Sequence, residues 1–424
     1  MNGPGSALGL RRTIGPLTGL GRGRMAPCVR RGCRAVGLAS LVALWTGGSP
    51  AWASLADLLK EPQFNHLGLA PIAPALAATV ASTYPVASAS SGVVYVYNPG
   101  LDTLERQTGV TGPIIGERAE TIGKGQLNLA VSYSYVDLTS INGDDLDSLL
   151  NRPRVNGKSI VFPVRGVVTL ADGRLANFLP VRTVADLDVQ AHIVAPSITY
   201  GVTNDLDVNA TLPLLRTSLD VTAHTQVPDP RFPEFALPPG SPNAQIGSRT
   251  ASGDDVGIGD LLLRAKWVLL RSERVDVATQ LGLGLPTGSQ NNFQGTGTTR
   301  LVPTLILSHV YGRFEPLVNV DMDLNTNDVG RSVVGWAAGC TAQVIKRLSV
   351  SVVFLGRHEL APLTEPIATP FFFQIKRNDQ YSASIGYRWL FAASGFVSAN
   401  AIVPLNDQGL QAAVIPTLEL EYAF

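Results

Sequence analysis

The chain has 424 residues, 45% of them hydrophobic and 16% charged, with 33 Lys and Arg balancing 33 Asp and Glu. That balance lacks the basic surface nucleic-acid binding requires. Its cysteines, Cys28, Cys33 and Cys340, are too few and too badly placed for a disulfide framework or a cysteine-based metal site.

The first element in chain order is a targeting segment. Residues 1–53 hold seven arginines and no acidic residue. An apolar run of 11 residues follows, from Ala35 to Trp45, and then the small-x-small pattern Ala51-Trp52-Ala53. Together these predict a secretory signal peptide cleaved before Ser54. The run is too short for a spanning helix, which needs about 20 residues. Met25 to Ala53 alone makes a complete signal, so Met1 and Met25 are both candidate starts. Removal leaves 26 basic residues against 33 acidic ones, a net charge of about −7, and only Cys340.

Residues 54–125 read as a flexible periplasmic leader, with entry into the lumen left open. Ala, Ser and Pro dominate from Ala70 to Ser91, which is low-complexity composition. Ser54 to Lys60 fits a short helical turn and Val93 to Tyr97 a short strand.

From Gln126 a two-residue period sets in. Strands are predicted at 126–138, 185–201, 205–217, 257–270, 275–286, 299–311, 314–325, 332–345, 347–359, 379–391, 395–405 and 410–424. Strands 299–311, which contains Pro303, and 332–345 alternate least well. In 314–325, Val318, Val320, Met322 and Leu324 fall on one face, and Asn319, Asp321, Asp323 and Asn325 on the other. The last strand alternates Leu418, Leu420, Tyr422 and Phe424 with Glu419 and Glu421. A greasy outside and a polar inside are what a membrane-spanning barrel asks of its strands. No later stretch holds about 18 uncharged apolar residues, which excludes helical spans. Links between the predicted strands alternate short and long. Bacterial barrels have short periplasmic turns and longer outer loops; a soluble sandwich has no reason to alternate. The expected fold is all-β: a transmembrane, antiparallel, up-and-down barrel of about 12 strands over 126–424.

Several short pieces carry a resemblance. Gly112-Pro113-Ile114-Ile115-Gly116-Glu117-Arg118-Ala119-Glu120-Thr121-Ile122-Gly123-Lys124-Gly125 runs into the first strand, followed by Asn142-Gly143-Asp144-Asp145-Leu146. Further on come Tyr200-Gly201-Val202-Thr203-Asn204-Asp205-Leu206-Asp207-Val208, Gly257-Ile258-Gly259-Asp260 and Leu285-Pro286-Thr287-Gly288. In order and spacing they resemble an outer-membrane family named for the meta-cleavage pathway of phenol degradation. The resemblance covers roughly 93–424. It implies a barrel and transport of aromatic or hydrophobic compounds.

The candidate functional residues are the ionisable groups expected to face the lumen: Asp188, Asp207, Arg264, Lys266, Asp321, Asp323, Arg388, Glu419 and Glu421. In a water-filled lumen they set solute preference; paired with one another, they close it. The charged, glycine-bracketed run before the first strand supplies plug candidates, Glu117, Arg118 and Glu120. Tyr422 and Phe424 resemble the C-terminal insertion signal of outer-membrane proteins, which implies the barrel-assembly machinery as a partner besides outer-membrane lipid and a small solute. Asp144, Asp145 and Asp147 lack the other ligands of a calcium loop. No His pair has metal spacing and no Ser/His/Asp set assembles by motif, so the expectation is a non-enzyme without metal or cofactor. Two functions stand open: a narrow outer-membrane channel for small aromatic or hydrophobic solutes, or a plugged barrel that binds partners at its surface through loops 139–184 and 218–256, or serves a structural role.

Overall fold

The computed structural model describes residues 54–61, 73–83, 94–98, 103–107, 115–148, 154–155, 158–159, 161–180, 182–230, 232–242, 244–361, 379–392 and 394–424. The expected signal peptide, the start of the 112–125 run and most of loop 360–378 lie outside the described residues.

Twelve strands form the wall. In chain order they are β1 (Leu127–Ile141), β2 (Arg182–Gly201), β3 (Leu206–Thr211 continued by Leu214–Val227), β4 (Gln245–Ile258 continued by Leu261–Leu270), β5 (Asp276–Leu285), β6 (Arg300–Ser308), β7 (Phe314–Asn325), β8 (Val333–Ile345), β9 (Leu348–Glu359), β10 (Asp379–Leu390), β11 (Gly395–Pro404) and β12 (Ile415–Ala423). Each pairs antiparallel with the next, and β12 returns to β1 with Leu420 opposite Val131. A short strand, Leu410–Ala412, pairs with the outer end of β1. The sheet is therefore closed. Closure is what hydrocarbon demands, because lipid offers no partner to the N–H and C=O groups of an open edge.

The two-residue period decides which side chain meets lipid. Along β12, buried Ile415, Thr417, Glu419, Glu421 and Ala423 alternate with exposed Pro416, Leu418, Leu420 and Tyr422. On β10, Ile385, Tyr387 and Trp389 face out while Ser384 and Arg388 are buried. Pro303 sits on the outward face of β6, and the β6–β7 ladder skips Val302 and Pro303 without losing register. Proline has no N–H to donate, so the ladder lapses there. Exposed Tyr387, Trp389, Tyr422 and Phe424 form a girdle at the end of the wall that carries the short turns. That end is periplasmic by the rule of short inner turns. At the other end the Tyr133 hydroxyl and His192 Nδ1 are hydrogen-bonded at 2.9 Å, and the Trp336 indole donates to His358 Nε2 at 3.2 Å.

The polarity of the wall reverses along its first four strands. On the lower part of β2, Ile198 and Tyr200 are exposed while Thr199 is buried. From Ile193 upward the same parity turns Leu187, Val189, Ala191 and Ile193 inward and Asp186, Asp188 and Gln190 outward. Asp188 therefore does not line the lumen, as the sequence reading expects; it lies on the outer face opposite Asp220. β1 follows suit, with Val136 and Leu138 inward and Asp137 and Thr139 outward. An outward row of carboxylates and amides belongs in water, so this section stands above the hydrocarbon. The strands expected at 205–217 and 257–270 extend into it. They break at Pro213 and at Gly259-Asp260, then continue to Val227 and from Gln245, so the connection expected at 218–256 contracts to 228–244. Its outward Asp220, Thr222 and His224 read as loop in sequence because their inward partners Leu219, Val221 and Ala223 do not face lipid.

The apolar inner surface of this section encloses part of the leader. Helix α1 (Leu55–Leu58) and helix α2 (Ala73–Thr83) pack in one cluster with wall residues Val136, Leu138, Leu187, Val189, Leu219, Val221, Ile402 and Ile415. Ala73, Leu76, Ala77 and Val80 recur on one helical face and are at most 5% exposed. Pro74 lies in the first turn, where its missing N–H costs nothing. Alanine, which reads as low complexity, is here the strongest helix former. These residues are thus packed inside the barrel rather than loose in the periplasm.

The polarity switch makes a direct prediction. Val320→Arg, on the lipid face of the middle of β7, should cost about 2–4 kcal/mol, whereas Thr222→Arg, outward above the switch, should change stability by less than about 1 kcal/mol. Urea-dependent folding into lipid vesicles measures both. Equal penalties would mean that β3 lies in hydrocarbon throughout.

Candidate functional site

The lumen holds three internal segments: the extended run 115–125 near the periplasmic end, the leader helices in the outer half, and the inward-folded connection between β5 and β6. Each is fixed by side chains of the wall.

The run 115–125 has no regular structure, so its backbone groups must find partners elsewhere. Wall side chains supply them. Glu117 N donates to Asn319 Oδ1 at 2.7 Å, and Asn319 Nδ2 returns a bond to Glu117 O at 2.8 Å. Ala119 N donates to Ser308 Oγ at 2.9 Å and Ile122 N to Asp207 Oδ2 at 2.9 Å. Lys266 Nζ donates to the carbonyls of Arg118 at 3.3 Å and Glu120 at 2.6 Å. Gly201 lets the run approach closely, since a Cβ there would stand 1.8 Å from Gly123 O.

Charges complete the seat. Glu117 pairs with Arg264 at 3.1 Å, and Arg264 also donates to Asn209 Oδ1 at 3.0 Å. Arg118, 1% exposed, meets Glu315 at 3.1 Å and pairs with Glu120. Lys266 lies 4.0 Å from Asp207. Arg388 meets Glu419 at 3.2 Å and Glu421 at 3.5 Å, and donates to Ser398 Oγ at 3.0 Å. Four cations thus face six carboxylates in one buried belt. Higher on the wall, Asp323 pairs with Arg300 at 2.8 Å, and Asp321 faces inward against Gly335. Of the predicted lumen residues, Asp207, Arg264, Lys266, Asp321, Asp323, Arg388, Glu419 and Glu421 face inward, six of them in the belt around the run or beside it; Asp188 is outside. Tyr422 and Phe424 lie on the outer face with ring centroids 4.7 Å apart, and Phe424 N donates to Leu127 O at 2.8 Å across the barrel seam.

Sequence reasoning passes over a second set of contacts. Asp260 accepts from Gly288 N at 3.1 Å, Thr296 N at 2.8 Å and Thr296 Oγ1 at 2.7 Å. Thr287 Oγ1 donates to Gly259 O at 2.6 Å. Asp255 Oδ2 accepts from Asn292 Nδ2 at 2.7 Å and Gln294 Nε2 at 2.9 Å. These bonds fold residues 286–299 inward and bury Phe293 completely. The signal was present: Gly257-Ile258-Gly259-Asp260 and Leu285-Pro286-Thr287-Gly288 are the halves of this clasp, and Asn204 and Asp207 hold the run 115–125. The clasp also meets the leader, since Leu55 N donates to Asn292 Oδ1 at 3.2 Å. Among the described residues no group of three metal-ligating side chains converges.

A sequence profile of the family described as "Putative MetA-pathway of phenol degradation" matches residues 180–405. No curated protein matches the chain. Among solved structures, an outer membrane channel from Pseudomonas putida F1 aligns with TM-score 0.45 and 12% identity, over 72% of this chain and 98% of that one. The toluene transporter of Ralstonia pickettii aligns with TM-score 0.34 and 10% identity, over 71% of this chain and 90% of that one. A FadL homologue of Pseudomonas aeruginosa aligns with TM-score 0.33 and 11% identity, over 72% of this chain and 91% of that one.

The seat can be probed pair by pair. Lys266→Met strands the Asp207 carboxylate and two carbonyls, and should cost about 3–5 kcal/mol. Adding Asp207→Asn should recover more than half of that loss, because no buried charge is then left alone. Denaturant unfolding of the two variants measures this, and a single-variant loss below about 1 kcal/mol would show that the belt does not hold the run.

Proposed function

The chain belongs to the phenol-degradation family whose profile covers residues 180–405, and from that premise we propose that it is an outer-membrane conduit for small hydrophobic solutes, closed at rest by its own leader. One observation carries the proposal. On the side walled by β1 to β3, β11 and β12, the outer half of the lumen is lined by Leu187, Val189, Leu219, Val221, Ile402 and Ile415, while the inward charges of that half, Arg300, Asp321 and Asp323, stand on β6 and β7. Porin lumens are polar because they conduct hydrated solutes. An apolar lining favours a solute that gains by leaving water, by about 25 cal/mol for each Å² of apolar surface it buries. The family's name supports aromatic compounds as the class. The helices filling this space belong to the leader and supply no strand of the wall, so they can move without opening the sheet.

On this reading the charged belt is a seal. An ion entering it must displace paired groups, so the closed barrel passes little current. The protein works without a cofactor and catalyses no reaction. Tyr422 and Phe424 serve recognition by the assembly machinery, and residues 1–53 serve export.

The filled lumen also supports a second reading, in which the barrel stays shut and its outer section binds a partner. Removing residues 55–83 separates the two. A conduit gated by the leader should then show at least a several-fold rise in single-channel conductance in planar bilayers, and whole cells should take up toluene faster than cells with the intact chain. Unchanged conductance and uptake in a folded deletion variant would favour the permanently shut barrel.

A further inference from the structure

Phe293 is the one described non-glycine residue besides Asn142 with positive φ, and it is the unusual case of the two. Its φ is 59° and its ψ 30°. Asparagine tolerates this left-handed region; a bulky aromatic side chain does not enter it without compensation. The compensation is visible on both sides. Asn292 and Gln294, the residues flanking Phe293, donate to the same oxygen of Asp255. Thr217 Oγ1 donates to Asn292 O at 2.7 Å from the neighbouring strand. Asp260 pins the connection again at Gly288 and Thr296. These bonds come from the wall, so they persist whether or not the leader is in place.

The ring they aim inward is 0% exposed and shares its apolar cluster with Leu55, Leu59, Leu76 and Val80 of the leader and with Leu215, Leu219 and Val221 of the wall. The short turn before it, Gln290–Asn292, packs against both leader helices. Withdrawal of the leader would uncover the ring at the middle of the apolar lumen, still held by Asp255.

We propose that Phe293 is the residue that sets solute preference: once the leader withdraws, its fixed ring forms one wall of the constriction and selects flat, single-ring aromatic solutes over saturated ones of the same size. This rests on the transport reading above. The physical ground is that a rigid aromatic face gives an aromatic solute an offset-stacked or edge-on contact that a saturated ring cannot match, beyond the area buried. A clamped ring also costs less entropy on binding than a mobile one.

The test is a competition between toluene and methylcyclohexane for uptake into whole cells carrying the full-length chain. The readout is the ratio of the two rates above cells without the protein. Wild type should favour toluene. Phe293→Leu keeps an apolar side chain and removes the ring, so the ratio should fall about threefold or more, the scale of one aromatic contact. Asp255→Ala releases the clamp without touching the ring, and should lower the ratio as well. Retained resistance of both variants to unfolding in cold detergent shows that the barrel is intact; if Phe293→Leu does not fold, Asp255→Ala with Phe293 in place carries the test. An unchanged ratio in folded variants whose wild type transports overturns the role of Phe293 and leaves the conduit standing. Equal uptake of both solutes by wild type also overturns it. No uptake above background by wild type removes the conduit itself, and this inference with it.

Discussion

Everything in this molecule follows from the fact that hydrocarbon satisfies no backbone hydrogen bond. The sheet must close, and closing twelve strands makes an interior too wide for the wall's own side chains to fill. The chain fills it with segments of itself. The run 115–125 crosses the lower lumen without secondary structure, so its amides and carbonyls must be met by side chains of Asn319, Ser308, Asp207 and Lys266. The polar inner face that barrel strands carry becomes, at this level, a set of hydrogen-bond partners for an internal segment that has no regular structure of its own.

Two environments then divide the interior. Below, charges meet in pairs, and each pair holds because its partner is present: Arg118 with Glu315, Arg264 with Glu117, Arg388 with Glu419. Above, the inward face of β1 to β4 is aliphatic and the outward face acidic, the reverse of the membrane section. The two leader helices pack there through their apolar faces, and Leu55 N donates to Asn292 Oδ1. The lower segment is therefore anchored by directional bonds and the upper one by an interaction that another apolar body can replace. That asymmetry is what makes a leader-gated route for apolar solutes physically reasonable, with the Asp255 and Asp260 clasp keeping the 286–299 connection in the lumen independently of the leader.

Much of this was legible in the sequence, for reasons particular to each region. β7, β10 and β12 face lipid along most of their length, so their period is a clean apolar/polar alternation and their inward charges could be named. Asp188 was misplaced because the rule that polar faces inward holds only where lipid lies outside; above His192 water takes lipid's place and the same alternation reads backwards. Pro213 and Gly259 hid the continuity of β3 and β4 for a related reason, since both look like strand ends when the outward residues beyond them are Asp and Thr. The helix at 73–83 was masked by its alanines, which suit a tether and a packed helix equally until an apolar cavity is available. Asp255 and Asp260 were not found as clasp residues because their partners, 28 to 39 positions away, are backbone amides and small polar side chains with no motif of their own.

The central claim is that the leader lies inside the barrel and not below it. Cysteines at Ala119 and Ser308, in a chain whose Cys340 is replaced, would test it in intact membranes. Ala119 N lies 2.9 Å from Ser308 Oγ, so a short thiol-to-thiol crosslinker should join the two positions in nearly every folded molecule, and a membrane-impermeant maleimide should label neither. If position 119 stays unlinked to 308 and is labelled freely from the periplasmic side, the leader hangs outside the lumen and the account of gating fails.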